Sequence, residues 1–136
     1  MNFADSNILF YCYDRAGDTR KRAIALSIAE QSDLCFSSQV INEVALNLKR
    51  KAAASEDYLQ RLVNRLYDDY VVLEILREDI IVASELRLEY KLSYWDSLIV
   101  ATALRANAQV LYSEDMQDGL TIRGRITIRN PFLMRA

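Results

Sequence analysis

Nearly all the side chains of this chain that could do chemistry are carboxylates. Histidine is absent, and only two cysteines, Cys12 and Cys35, and three glycines, Gly17, Gly119 and Gly124, occur. Without histidine there is no Ser-His-Asp or Cys-His nucleophile, no imidazole acid–base pair and no His-containing zinc site. Two cysteines cannot make an all-thiolate zinc site, and three scattered glycines cannot write a P-loop or a GxGxxG turn. What remains is carboxylate chemistry, which points to a hard metal ion.

Four acids stand out by position. Asp5 ends a short apolar run, Glu43 lies early in a helical stretch, Asp96 opens another and Asp115 follows a strand-like segment. In open α/β sheets, ligands bind beyond the carboxyl ends of the strands, where such residues would gather. Asp96 is bordered by Trp95 and by Leu98, Ile99 and Val100, an apolar setting in which an unpaired carboxylate is costly. Four carboxylates meeting without cations would repel one another and raise their pKa values. A divalent cation resolves the conflict, and all-oxygen ligation favours Mg²⁺ or Mn²⁺ over zinc. Such an ion activates water and stabilises charge on a phosphoryl oxygen, and two ions about 3.5–4 Å apart would do both in an in-line displacement.

Each acid also has a purely structural reading. Asp5 could N-cap a short helix from Ser6 to Phe10, Glu43 could be solvated on its helix, Asp96 could serve a helix dipole, and Asp115 sits where turns favour Asp. Their joint placement is what raises the functional reading.

The elements that must position them follow from periodicity. Met1 to Ala4 suits a buried strand. Residues 19–30 place Ile24 and Ile28 four apart, an amphipathic helix capped by Asp18 or Thr19. Asp33 to Phe36 is strand-like, and Ser37 or Ser38 caps a helix to about residue 52. Ser55 caps the next helix, with Leu59, Leu62, Val63 and Leu66 as its apolar stripe. Should this helix and the one before it form an exposed hairpin, part of that apolar face could receive a partner's helix. Tyr70 to Ile75 is β-branched and apolar, residues 78–91 and Trp95 to Asn107 are helical, and Gln109 to Tyr112 is a strand. A turn from Ser113 to Gly119 and a last strand from Arg125 to Ile128 complete the chain. Strands alternating with helices predict an α/β/α sandwich with a mainly parallel central sheet.

With 136 residues, the chain is expected to form a single domain over residues 1–136. Lys and Arg number 17 against 19 Asp and Glu, a net charge of −2, so any nucleic-acid partner needs a local basic patch or bound cations. The clusters Arg20-Lys21-Arg22 and Lys49-Arg50-Lys51, with Arg123, Arg125, Arg129 and Arg135, could supply phosphate contacts or simply be solvated. No basic n-region opens the sequence and no apolar run is long enough for a membrane span. The cysteines lie in apolar stretches and are expected as buried hydrophobes rather than a disulfide, which suits a cytoplasmic protein with no membrane partner.

Four segments, Phe3-Ala4-Asp5-Ser6-Asn7-Ile8-Leu9, Ser38-Gln39-Val40-Ile41-Asn42-Glu43, Leu92 to Ala103 (reading LSYWDSLIVATA) and Tyr112 to Gly119 (YSEDMQDG), resemble the PIN-domain family, most of all its VapC-type toxins. The third is the most specific, and the similarity runs over nearly the whole chain in the family's order and spacing. The resemblance implies a Mg²⁺- or Mn²⁺-dependent endoribonuclease that cleaves RNA by metal-activated water. It matches Asp5, Glu43, Asp96 and Asp115 to the family's acidic quartet, with Asp5 and Asp96 as central ligands and Glu43 and Asp115 completing the site. Asp118 is a second candidate for the fourth acid, and Ser113 falls where a hydroxyl often hydrogen-bonds a carboxylate. The resemblance also implies a small cognate antitoxin and a homodimer.

Two rival enzyme and signalling classes fit less well. An aspartyl-phosphate phosphatase needs a second Asp two residues after the first, where this chain has Asn7. A response-regulator receiver carries adjacent acids after its first strand, where Ser6 follows Asp5. The remaining alternative is a catalytically inactive PIN scaffold that binds RNA or protein.

Overall fold

The computed structural model describes residues 1–133, so Arg135 lies outside the described residues. Six strands and six helices follow along them, the helices in pairs between the first four strands: β1 (Asn2–Ala4), α1 (Ser6–Tyr13), α2 (Thr19–Ala29), β2 (Leu34–Ser37), α3 (Ser38–Ala52), α4 (Glu56–Asp69), β3 (Val71–Leu73), α5 (Arg77–Glu89), α6 (Tyr94–Arg105), β4 (Val110–Tyr112), β5 (Thr121–Ile122) and β6 (Ile126–Arg129). The strands form one sheet in the order β3-β2-β1-β4-β6-β5, parallel throughout except for β5 against β6. Helices flank it, giving the expected α/β/α architecture with a mainly parallel sheet.

Successive strands step outward from β1 to β2 and β3, whereas β4 and β6 build on the other side of β1. The order therefore reverses between β1 and β4, and a crevice opens at their carboxyl ends. The backbone N–H of Asp5 donates to the Tyr112 carbonyl at 2.9 Å, which locks the two strand ends together.

The core explains the helix positions. Phe3, Phe36 and Leu111 are buried on the central strands, and α6 is buried continuously from Ser97 to Leu104. Alanines at 101 and 103 let it sit close to its neighbours, and Thr102 satisfies its hydroxyl on the Leu98 and Ile99 carbonyls. Leu59, Leu62 and Leu66 of α4 are buried and Val63 is half-buried, so this stripe belongs to the core rather than to an open docking face. Caps follow the expected chemistry: Asp18, Ser37, Ser55 and Ser93 each accept a backbone N–H of the helix that follows. Cys12 and Cys35 are free and buried, and burial pushes both thiols up, to about 12 and about 11.

Three expectations need adjustment. Helix α2 buries only Ala25 and Ile28 fully, with Ile24 half-buried and Leu26 exposed, so its core face is narrower than the sequence pattern implies. The third strand is confined to Val71–Leu73. After the turn at residue 119, the chain makes a short strand, β5, that pairs antiparallel with β6; no periodicity marks a two-residue strand. Among the described residues no helix is long and apolar enough to cross a membrane.

Candidate active site

Three helix starts and one post-strand turn carry the acids to the crevice. Asp5 stands between β1 and α1 and is 3% exposed. Its Oδ1 accepts the Ser6 backbone N–H at 2.7 Å, so the structural reading of Asp5 as a helix cap is real. Its Oδ2 accepts the Ser113 hydroxyl at 2.8 Å. Both bonds favour the ionised form, yet burial outweighs them, and neighbouring Asp96 and Glu43 add repulsion, so the carboxyl is pushed up to about 7. A carboxylate capping a helix on the surface would show no such rise.

Asp96 sits in the first turn of α6, its backbone N–H on the Ser93 hydroxyl at 3.1 Å. Partial burial raises its carboxyl, Ser93 partly offsets this, and Asp115 raises it further. Glu43, one turn into α3, accepts Gln39 Nε2 at 2.9 Å. Asp115, exposed in the segment after β4, accepts Asn7 Nδ2 at 3.3 Å. Asn7 also accepts the Glu114 backbone N–H at 3.2 Å, which fixes the segment that carries Asp115. Ser113 holds that segment from the other side, accepting the Met116 N–H at 3.3 Å while donating to Asp5.

Glu43, Asp96 and Asp115 line a cleft of about 480 Å³ together with Ser6, Gln39, Asn42, Leu46, Asn47 and Trp95, and Asp5 lies buried beneath it against Ser6. Among the described residues no lysine or arginine lines this cleft. Asp118 is placed elsewhere: its Oδ1 accepts the Asn130 backbone N–H at 2.8 Å, holding the turn between β4 and the C-terminal segment. The structure thus brings Asp5, Glu43, Asp96 and Asp115 to one crevice, whose lining does not include Asp118.

Sequence reasoning missed Gln39. This side chain is 9% exposed, and its Nε2 donates to Glu43 Oε1 at 2.9 Å and to the Trp95 carbonyl at 3.2 Å. Both partners are acceptors, which sets the amide orientation: the nitrogen faces them and Oε1 faces away. That Oε1 is buried without a hydrogen-bond partner. The four-residue spacing to Glu43 on one helix face was the available signal. Asn7 was noticed only as a mismatch to another enzyme class; its link to Asp115 spans 108 positions, beyond any local pattern.

The donor set fits a hard cation. Carboxylates, amides and the Ser6 hydroxyl line the cleft with no lysine or arginine among the described residues, and burial pushes the Asp5 carboxyl beneath it up to about 7. Among the described residues no three acidic or cysteine side chains are gathered tightly enough to ligate one ion directly.

Comparison with curated protein sequences finds no match. Solved structures are similar over nearly the whole fold. A toxin–antitoxin complex from Klebsiella pneumoniae superposes with a TM-score of 0.72 at 22% identity, covering 98% of this chain and 100% of that one. FitAcB from Neisseria gonorrhoeae gives 0.69 at 16% identity, covering 98% and 100%. The Mycobacterium tuberculosis toxin VapC20, which cleaves the sarcin–ricin loop, gives 0.65 at 20% identity, covering 82% and 87%. Identities this low establish a shared fold and nothing finer. The family-level match to the PIN domain spans residues 3–117 and takes in Asp5, Glu43, Asp96 and Asp115, and the chain belongs to the PIN domain family.

Proposed function

We propose that this protein is a Mg²⁺- or Mn²⁺-dependent endoribonuclease, the toxin of a type II toxin–antitoxin pair, acting in the cytoplasm. One observation carries the reading: four acids from distant parts of the sequence meet at the sheet's switch point with no cationic side chain among them. The similar solved structures include a toxin–antitoxin complex and an RNA-cleaving toxin, which supports the substrate class and a small antitoxin partner. Ile80, Ile81 and Leu88 on α5 are exposed, apolar surface that protein partners or a second copy of the chain would cover.

When bound, the cation would polarise a phosphoryl oxygen and ease deprotonation of water. The chain's own residues do the rest. Asp5 and Asp96 would hold the ion, and Glu43 and Asp115 would complete its shell directly or through water. Ser113 keeps Asp5 oriented, Asn7 keeps Asp115 oriented, and Gln39 spaces Glu43 from the start of α6. One of these carboxylates would take a proton from a water that attacks phosphorus in line, the opposite P–O bond would break, and solvent would protonate the leaving oxygen.

The test compares wild type with Asp96→Asn on cellular RNA with Mg²⁺, with Mn²⁺ and with excess EDTA. The expected result is discrete fragments from wild type only, lost in EDTA, with activity down by about 10³-fold or more in the variant. Cleavage that survives Asp96→Asn would place the site elsewhere. Metal binding without RNA turnover would favour an inactive binding scaffold.

A further inference from the structure

The acidic cleft leaves a physical problem that rests on the nuclease reading: a polyanionic substrate must be held by cations, and the cleft contributes none from side chains. A second cavity, of about 250 Å³, has the opposite character. Arg15 from the segment after α1, Arg22 from α2, and Arg61 and Arg65 from α4 converge on it, with Tyr13 and Tyr58 in the same wall. Arg61 and Arg65 are one turn apart on α4, and folding brings them to Arg15 and Arg22 from the first quarter of the chain.

These charges are incompletely matched. Arg61 pairs with Asp57 one turn away, and Arg22 directs Nε to the Cys12 carbonyl at 3.3 Å, leaving its other N–H groups unspent. Among the described residues Arg15 and Arg65 form no salt bridge. Four guanidiniums around one cavity repel one another unless an anion enters, and their planar forks match phosphate oxygens in pairs. In a chain of net charge −2 this concentration is not a by-product of general basicity.

The cavity also continues. Tyr13, Arg15 and Tyr58 line a neighbouring groove of about 700 Å³ whose wall adds Lys51 and, beside Arg15, the acid Asp14. Across the two cavities five cations outnumber the one lining acid, and with Tyr13 and Tyr58 in both walls the path fits a strand of phosphates and bases better than one isolated anion. Helix α1 links this region to the site: Asp5 caps its first turn and Tyr13 ends it, a rise of about 12 Å for eight residues.

We propose that the cavity formed by Arg15, Arg22, Arg61 and Arg65 is a phosphate-anchoring exosite that holds single-stranded RNA outside the cleavage cleft. Arginine contacts here position the strand, and the adjoining tyrosines stack its bases without reading a defined sequence.

The test uses the full chain carrying Asp96→Asn, so that RNA is bound and not cut, and a fluorescein-labelled oligouridylate as probe. Arg15→Gln and Arg65→Gln together remove two exposed charges, and Arg77→Gln, on α5 outside the cavity, is the control. The double variant is expected to bind roughly tenfold more weakly, and its plot of log affinity against log salt should be shallower by about 0.7 per lost contact. The control should match its parent. Equal RNA affinity and an unchanged salt slope in the double variant would overturn the exosite while leaving the nuclease reading intact, provided wild type still cleaves. Polyglutamate tested in parallel separates an acidic protein partner: affinity for it falling in the double variant, with RNA binding unchanged, assigns the cavity to protein and overturns the proposal. Should wild type neither bind nor cleave RNA, both the exosite and the nuclease reading fall.

Discussion

At the scale of single residues, Gln39 does what no acid in the cleft can do for itself. It holds Glu43 on α3 against the backbone that introduces Asp96 on α6, and it leaves one carbonyl oxygen facing away from both. Gln39→Leu removes that strut. Partners of metal ligands typically contribute 10–100-fold, so Mn²⁺ affinity, followed by electron paramagnetic resonance, should weaken by about that factor. Gln39→Glu sets a second carboxylate against Glu43, and its loss should ease as pH is lowered and the pair takes up a proton. Lower thermal stability with unchanged Mn²⁺ affinity in both variants would reduce Gln39 to a packing role. The acids were legible in the sequence because their types and order are; Gln39 and Asn7 were not, since an amide has no chemistry of its own until its partners are known.

At the scale of elements, α5 and α6 are joined by a pair whose removal is measurable. Asp79, 2% exposed, accepts Arg105 Nε at 2.9 Å and also the Leu76 backbone N–H at 2.9 Å, closing the first turn of α5. Arg105 in addition donates to the Glu74 carbonyl at 2.6 Å, so one guanidinium ties the end of α6 to the loop before α5. Arg105→Met would leave a buried carboxylate without its cation. Breaking a buried pair costs about 3–5 kcal/mol, and Arg105's partial exposure brings the expectation to about 2 kcal/mol, read from the urea midpoint with an unchanged slope. Helix existence was readable from period and caps, as for α3 and α4, where Ser37 and Ser55 serve as expected. Strand β5 was not, because its two residues exist as a strand only through β6, and the turn between them uses positive φ at Arg123 and Gly124.

For the whole molecule, the buried acid links stability to pH and to metal. In the metal-free fold Asp5 keeps its proton up to about pH 7, against an ordinary value of 3.8. The folded state therefore binds more protons than the unfolded state between these values. Its contribution to stability is full below about pH 4 and is lost as pH rises through about 7. Thermal unfolding without metal should show this decline, and Asp5→Asn should abolish it. A cation that binds only the fold, and needs the ionised carboxyl, should raise the unfolding temperature more at about pH 8 than at about pH 5. A larger Mn²⁺ effect at the lower pH would exclude Asp5 as a ligand.

Residue types and their order alone excluded imidazole, thiolate and glycine-loop chemistry, because a missing side chain cannot be supplied by folding. They also determined the alternating helices and strands, whose periodicity reflects which face each element buries, and hence the parallel sandwich. Which acids meet was a matter for the assembled sheet. Asp115 and Asp118 lie three positions apart in one turn, the second a backup for the first in a linear reading, and they separate in space only when β4 leads Asp115 to the crevice while Asp118 accepts the Asn130 backbone. The same holds for the arginines: Arg22 stood out only within a basic run and Arg15, Arg61 and Arg65 not at all, and they line one cationic cavity because residues of α1, α2 and α4 face it together. Electrostatic function depends on distances in space, and sequence spacing reports those only within a few turns of helix or a single strand.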